Sequence, residues 1–159
     1  MTPVTKDAEP ATQPLEGRTI GVLSSLLAGT YFGRLIAAVA EAVHDMGGKT
    51  LAVQTQNAAW VDPYRTGPGK VPQVALDKVA GYVVVINSVP PGQLAELRAA
   101  GKPVVMISHE EASFPCPVVK PDNYVGVREA IEHLIDHGHT RIAFVGDTTQ
   151  LDIAERYDS

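Results

Sequence analysis

Tyr82-Val83-Val84-Val85-Ile86, followed one helix later by Pro103-Val104-Val105-Met106-Ile107, is the stretch that decides the fold. Both runs place apolar, mostly β-branched residues at successive positions, so neither strand keeps a face for water. Strands buried on both faces belong to a parallel sheet covered by helices on each side. Between them Pro90 and Pro91 open a helix that carries Leu94 and Leu97, and Gly101 ends it. Strand, crossover helix and strand form one βαβ unit, whose connection is right-handed.

The same alternation extends in both directions. Upstream, Thr19-Ile20-Gly21-Val22-Leu23 predicts a strand, and Phe32, Leu35, Ile36, Val39, Val43 and Met46 follow at helix spacing until Gly47 and Gly48 stop them. Thr50-Leu51-Ala52-Val53 predicts the next strand and leads into a Pro/Gly-broken stretch from Asn57 to Pro72. Downstream, Val118-Val119 predicts a short edge strand. Asp122 or Asn123 then caps a helix whose Val127, Ala130, Ile131, Leu134 and Ile135 make one apolar face, and Gly138 is its stop. Ile142-Ala143-Phe144-Val145 predicts a last strand before a polar tail. The expected class is α/β, an open doubly wound parallel sheet, in which ligands sit at the carboxyl ends of the strands. The positions to inspect are therefore Ser24 to Tyr31, Asn87 to Val89, Ser108 to Glu111, Asp122, and Asp147 onward.

Composition narrows the function classes. A chain of 159 residues, 45% hydrophobic and 19% charged, suits one soluble core. Its net charge is 13 − 18 = −5 with no block of Lys or Arg, so the clustered cations that duplex DNA or RNA requires are missing. A single cysteine, Cys116, forms no internal disulfide and no cysteine-rich zinc site, and the cytoplasm is the expected location. The lead-in through Gly17 carries Lys6, Asp7, Glu9 and Glu16 with Pro3, Pro10 and Pro14 and no apolar stretch. It is expected to be disordered, and it is neither a secretory signal nor a membrane span.

From Thr19 to Arg156 the sequence resembles the sensor domain of the lactose/galactose repressor (LacI/GalR) family, which shares its fold with periplasmic sugar-binding proteins. Three segments carry the likeness: Ile20-Gly21-Val22-Leu23-Ser24-Ser25 with Tyr31-Phe32; Pro121-Asp122-Asn123-Tyr124-Val125-Gly126 continuing to His133-Leu134-Ile135-Asp136-His137-Gly138-His139-Thr140-Arg141-Ile142-Ala143-Phe144-Val145-Gly146; and Glu155-Arg156-Tyr157. The resemblance implies the first lobe of a two-lobed, type I periplasmic-binding-protein-like fold over residues 18–138. Residues 139–159 would be the hinge and the start of a truncated second lobe. It further implies a small-molecule effector, a sugar or nucleobase, bound between lobes, and a homodimer. The family's helix-turn-helix head is not found ahead of the sensor, so no direct nucleic-acid binding by this chain is expected. The headless arrangement, with Trp60-Val61-Asp62-Pro63-Tyr64, is also similar to sensor domains fused to cyclic-di-GMP modules bearing GGDEF or EAL motifs. An output module beyond Ser159 is the corresponding expectation, although neither motif occurs in the chain.

Candidate site residues follow from the strand ends and the resemblance together. Tyr31 and Phe32 open a helix, where aromatic rings can stack on a sugar or base beside free N–H donors; Phe32 equally suits the core through its spacing with Leu35 and Ile36. Asp122 can cap its helix or accept hydrogen bonds from ligand hydroxyls. Arg156, in the family's arginine position, offers a planar fork to a ligand oxygen or is a solvated helix residue. Ser24, Ser25, Asn87, Ser88 and His109 are polar groups at strand ends, of the kind that orient a ligand in a mostly apolar pocket. Asn87 and Ser88 also suit a turn before Pro90.

His133, His137 and His139 have a spacing a metal could use. No Glu follows the first as in a zinc protease, and a helix C-terminus favours histidine for its dipole, so no metal is assigned. Cys116 in Phe114-Pro115-Cys116-Pro117 has no evident base and suits a structural thiol.

Two rival classes share the fold. A nucleotide-using enzyme needs a glycine-rich phosphate loop, and neither G-x-G-x-x-G after the first strand nor G-x-x-x-x-G-K-[ST] occurs. A transporter's solute-binding protein needs an export signal. The expected function is non-catalytic and cofactor-free ligand sensing.

Overall fold

The structure, a computed structural model, describes residues 14–55, 77–149 and 151–159. The two valine-rich runs lie side by side as β3 (Gly81–Val85) and β4 (Val104–Ile107), parallel and in register from Tyr82↔Val104 to Val85↔Ile107. Upstream are β1 (Thr19–Ser24), α1 (Thr30–Asp45) and β2 (Lys49–Gln54); α2 (Pro91–Ala99) joins β3 to β4. Downstream come β5 (Val118–Val119), α3 (Asn123–Asp136) and α4 (Leu151–Tyr157). The strands form one five-stranded sheet in the order β2-β1-β3-β4-β5, and every pairing is parallel.

Successive side chains of a strand point to opposite faces, and here both faces are dry. Leu23, Val84 and Met106 lie in the core cluster with Leu94 and Leu97 of α2. Val22 and Val85, each one position out of phase, are fully buried as well. Burying an aliphatic side chain of this size contributes about 1.5–3 kcal/mol, so the valine-rich strands gain on both sides. Tyr82 completes the cluster by lying over Gly21, its register partner on β1; a Cβ at Gly21 would meet the ring at 2.6 Å. The Tyr82 hydroxyl is buried with no hydrogen-bond partner among the described residues, and burial pushes the phenol pKa up.

Punctuation follows the residue types. Pro91 occupies the first turn of α2, where its missing N–H costs nothing. Gly47, Gly101 and Gly138 stand after α1, α2 and α3 with positive φ, the left-handed stop that glycine adopts without strain.

Three expectations are corrected. The lead-in was expected to be disordered through Gly17, but the Leu15 N–H donates to Met46 O at 2.7 Å, anchoring residues 15–17 at the end of α1. Ile142 to Val145 forms no strand. Among the described residues no strand pairs with it, Val145 is 95% exposed, and a strand exists only where its N–H and C=O groups find a ladder. The expected polar tail contains α4, whose Asp152 in the first turn and Arg156 in the last complement the helix dipole. Seven residues are too few for periodicity to announce a helix. α4 folds back over the 144–146 segment, where a Cβ at Gly146 would meet both Ile153 and Phe144. α3 packs against α4. The lead-in through Gln13 and the stretch from Asn57 to Pro72 lie outside the described residues.

Candidate functional site

Ile86 and Ser108, the residues just past β3 and β4, both adopt the left-handed conformation, with φ of 55° and 56°. Their N–H groups still complete the ladder, Ile86 donating to Ile107 O at 2.7 Å and Ser108 to Val119 O at 2.8 Å. The chain thus stays paired to the last sheet position and then turns sharply. For a β-branched isoleucine this is an outlier, costing about 1–3 kcal/mol, and such strain concentrates at ligand clamps.

Both strained residues line a cleft of about 570 Å³ at the carboxyl edge of the sheet, a size that suits a small organic ligand. One wall is aromatic. Tyr31 and Phe32, in the first turn of α1, meet edge to face with centroids 5.3 Å apart. The Tyr31 hydroxyl lies 3.1 Å from Ser108 Oγ, which ties this wall to the end of β4. Gly29 caps α1 without a side-chain hydrogen bond. Asn87, His109 and Glu110 continue the lining from the ends of β3 and β4.

The opposite wall is a polar network. Lys120 and Asn123 reach it from the β5–α3 junction, and Asp152, Glu155 and Arg156 from α4. Lys120 Nζ donates to Glu155 Oε1 at 3.0 Å, and Asn123 Nδ2 donates to Glu155 Oε2 at 2.7 Å. Arg156 Nε donates to Asn123 Oδ1 at 2.9 Å, and its guanidinium lies 3.4 Å from Asp152 one turn earlier. The Asn123 and Lys120 hydrogen bonds hold the Glu155 carboxyl below its ordinary range, and Glu155 holds the Lys120 ammonium above its own. Three carboxylates (Glu110, Asp152, Glu155) thus face two cations (Lys120, Arg156), and each cation already has a carboxylate partner.

Of the residues expected at the site, Tyr31, Phe32, Asn87, His109 and Arg156 come together around the cleft. Phe32 is half-buried and lines it at once. Ser24 and Ser88 are fully buried and used structurally: Ser24 Oγ donates to Leu26 O at 2.7 Å, and Ser88 Oγ donates to Leu23 O at 2.8 Å. Ser25 is half-buried and outside the lining. Asp122 caps α3 by accepting from the Val125 N–H at 3.0 Å and is also outside it. Residue-type reasoning does not reach Ile86, Lys120 or Asn123 as cleft residues. Asn123 offers only a cap by residue type and Lys120 carries no motif, whereas Glu155 belongs to the Glu155-Arg156-Tyr157 segment and to the stretch from Asp147 onward. Ser108 and Glu110 did fall in a window that the strand-end rule marks.

His133 and His137 lie outside the cleft lining. The His133 and His137 rings meet at 4.2 Å on the last turn of α3, where His137 Nδ1 lies 2.8 Å from His133 O. Among the described residues no group of three His, Cys, Asp or Glu could hold a metal. Cys116 is half-buried, and burial raises its thiol pKa. No helix among the described residues is long and apolar enough to cross a membrane.

No family profile matches the chain, and no curated protein sequence matches it. Solved structures do. A LacI family transcriptional regulator from Enterococcus faecium with bound ribose aligns with a TM-score of 0.67 at 19% identity, over 89% of this chain and 50% of that one. One from Lactobacillus casei with bound glucose aligns with a TM-score of 0.59 at 21% identity, over 88% and 51%. The lac repressor dimer bound to operator and an anti-inducer aligns with a TM-score of 0.60 at 19% identity, over 93% and 50%. The chain has the fold of these regulators' periplasmic-binding-protein-like domain and spans about half the length of the structures it matches.

Proposed function

We propose that this chain is the ligand-sensing part of a LacI-like transcription regulator, holding a small, uncharged, polyhydroxylated molecule of the sugar class in the cleft and performing no reaction on it. The observation that carries the reading is the pairing of an aromatic wall, Tyr31 and Phe32, with a wall whose cations are already neutralised. Aromatic rings stack on the apolar face of a sugar ring, while Arg156, Asn87 and His109 bond its hydroxyls. With three carboxylates against two paired cations, a phosphorylated ligand would meet net repulsion.

Ribose and glucose in two of the aligned regulators support the sugar class, and the dimeric lac repressor supports a homodimer whose DNA contacts come from other residues. The ligand would touch both the strand ends and α4, so it favours the conformation in which they approach and shifts that population. An output module linked to the sensor would read the shift. Such a protein works in the cytoplasm.

The test is thermal unfolding with D-ribose, D-glucose and the phosphate esters of both. At a hundred times its dissociation constant a bound sugar adds about 2.7 kcal/mol. A neutral sugar is expected to raise the midpoint, its ester is not, and Arg156→Ala should weaken binding by about 1.5–3 kcal/mol. Tighter binding of the esters, or no response to any neutral sugar, would overturn the reading.

A further inference from the structure

The only buried side chain of α3 is polar. Asn123 is 6% exposed, whereas every other residue of that helix is half-buried or exposed. A buried amide costs free energy unless both its ends are satisfied, and here both are, by groups of opposite character. Glu155 is a carboxylate that only accepts and Arg156 is a guanidinium that only donates, so the amide has a single workable orientation: Nδ2 toward Glu155 at 2.7 Å and Oδ1 toward Arg156 Nε at 2.9 Å. The flipped amide would set donor against donor and acceptor against acceptor.

We propose that Asn123 is a positioning residue for the ligand site, holding Nε of Arg156 so that the far edge of the guanidinium is presented to the cleft; this rests on the reading of the cleft as a ligand site. Asparagine suits the place because it alone among short side chains donates at one end and accepts at the other. Without it, the partner left to Arg156 is Asp152, one turn away on the same helix. The guanidinium keeps its charge there but loses its aim, so a ligand must then meet the cost of ordering it. Glu155, clamped between Lys120 and Asn123, fixes the other end of the amide.

Three variants test this in the full chain. In 15N-labelled wild type the Arg156 Nε–H should exchange slowly with solvent, with or without ligand. Asn123→Ala and Asn123→Ser should both speed that exchange and weaken D-ribose binding at least about tenfold, as loss of a charge-assisted hydrogen bond requires. Asn123→Asp supplies a pH signature. Its new carboxylate faces Glu155, with Lys120, Arg156, Asp152 and Glu110 around them, so at neutral pH two like charges meet. Lowering the pH lets one shared proton restore the donor, and affinity and Nε–H protection should recover in this variant, while in wild type acid weakens the network through Glu155. Unchanged Nε–H exchange in the alanine and serine variants, or parallel pH profiles for wild type and Asn123→Asp, would overturn the proposal. If wild type binds no sugar, the reading of the cleft fails, and the ligand-free exchange of the Arg156 Nε–H still decides whether Asn123 positions it. Should Asn123→Ala fail to fold, Asn123→Asp examined from neutral to acid pH carries the same decision.

Discussion

The five-stranded sheet and the α3–α4 limb hold themselves together by different means. In the sheet, Val22, Val84, Val85 and Met106 are wholly removed from water, and α2 closes one face with Leu94 and Leu97. In the limb, Ile135 is 57% exposed, Tyr157 63% and Val145 95%. Its apolar contacts are local, with Ile153 and Phe144 over Gly146 and Phe144 against Tyr157. Lys120, just past β5, ties α4 to the sheet edge through Glu155, and Asn123 joins α3 to α4 through the same carboxylate. The cleft lies between them, so one wall is built on a dense core and the other hangs from hydrogen bonds. Elements with few buried apolar contacts open locally at lower free energy than core strands, which makes the limb the part a ligand can order.

The largest effect should separate the two regions directly. Leu94→Ala, in the core, is expected to cost about 2–5 kcal/mol, whereas Ile135→Ala on the limb should stay within about 0.5 kcal/mol. The denaturant midpoint at constant slope measures both. Equal losses would break the contrast. Next, Gly21→Ala should cost about 1–3 kcal/mol, because its Cβ would collide with the Tyr82 ring. In the same place Tyr82→Phe should be neutral or stabilising by about 1 kcal/mol, since it removes a buried hydroxyl with no partner among the described residues.

At the junction, Asp122→Ala should cost about 1 kcal/mol through the lost cap of α3. If sugar affinity falls while unliganded stability holds, the carboxylate reaches the ligand instead. The smallest effect concerns pH. Glu155 is held below the ordinary carboxylate range, so its stabilising contribution is present above that range and is lost as pH falls through the lowered value. Lys120 is held above the ordinary lysine range, so its contribution is whole below that range and fades as pH rises through the raised value. The bridge therefore holds across neutral pH. Amide protection in α4, taken relative to the intrinsic exchange rate at each pH, should fall at the acid and alkaline ends while that of β1, β3 and β4 does not.

The contrast also explains what the sequence made legible. The sheet could be read because burial on both faces forces continuous apolar runs, as at Val83-Val84-Val85, and because Pro91 and Gly101 mark the ends of α2 with backbone chemistry that is local. Ile142-Ala143-Phe144-Val145 carries the same residue types, but strand formation depends on a ladder partner that the run itself does not encode. α4 was missed because a helix of seven residues has little period to show. In the cleft, Tyr31, Phe32, Asn87, His109 and Arg156 follow from strand-end position and resemblance, whereas Lys120, Asn123 and Glu155 become a unit only when β5, α3 and α4 meet. Ser24 and Ser88 sit at strand ends too, yet their hydroxyls turn inward to Leu26 and Leu23, an orientation that the residue type leaves open.

Hydrogen–deuterium exchange of the full chain, with and without the tightest-binding neutral sugar, tests most directly that the ligand bridges the two regions. The expected result is slower exchange at both walls, residues 86–87 and 108–110 on the sheet edge together with 151–157 on the limb, the larger change falling on α4 and none on the interior of β1 and β3. Protection confined to one wall, or lying away from the cleft altogether, would contradict it.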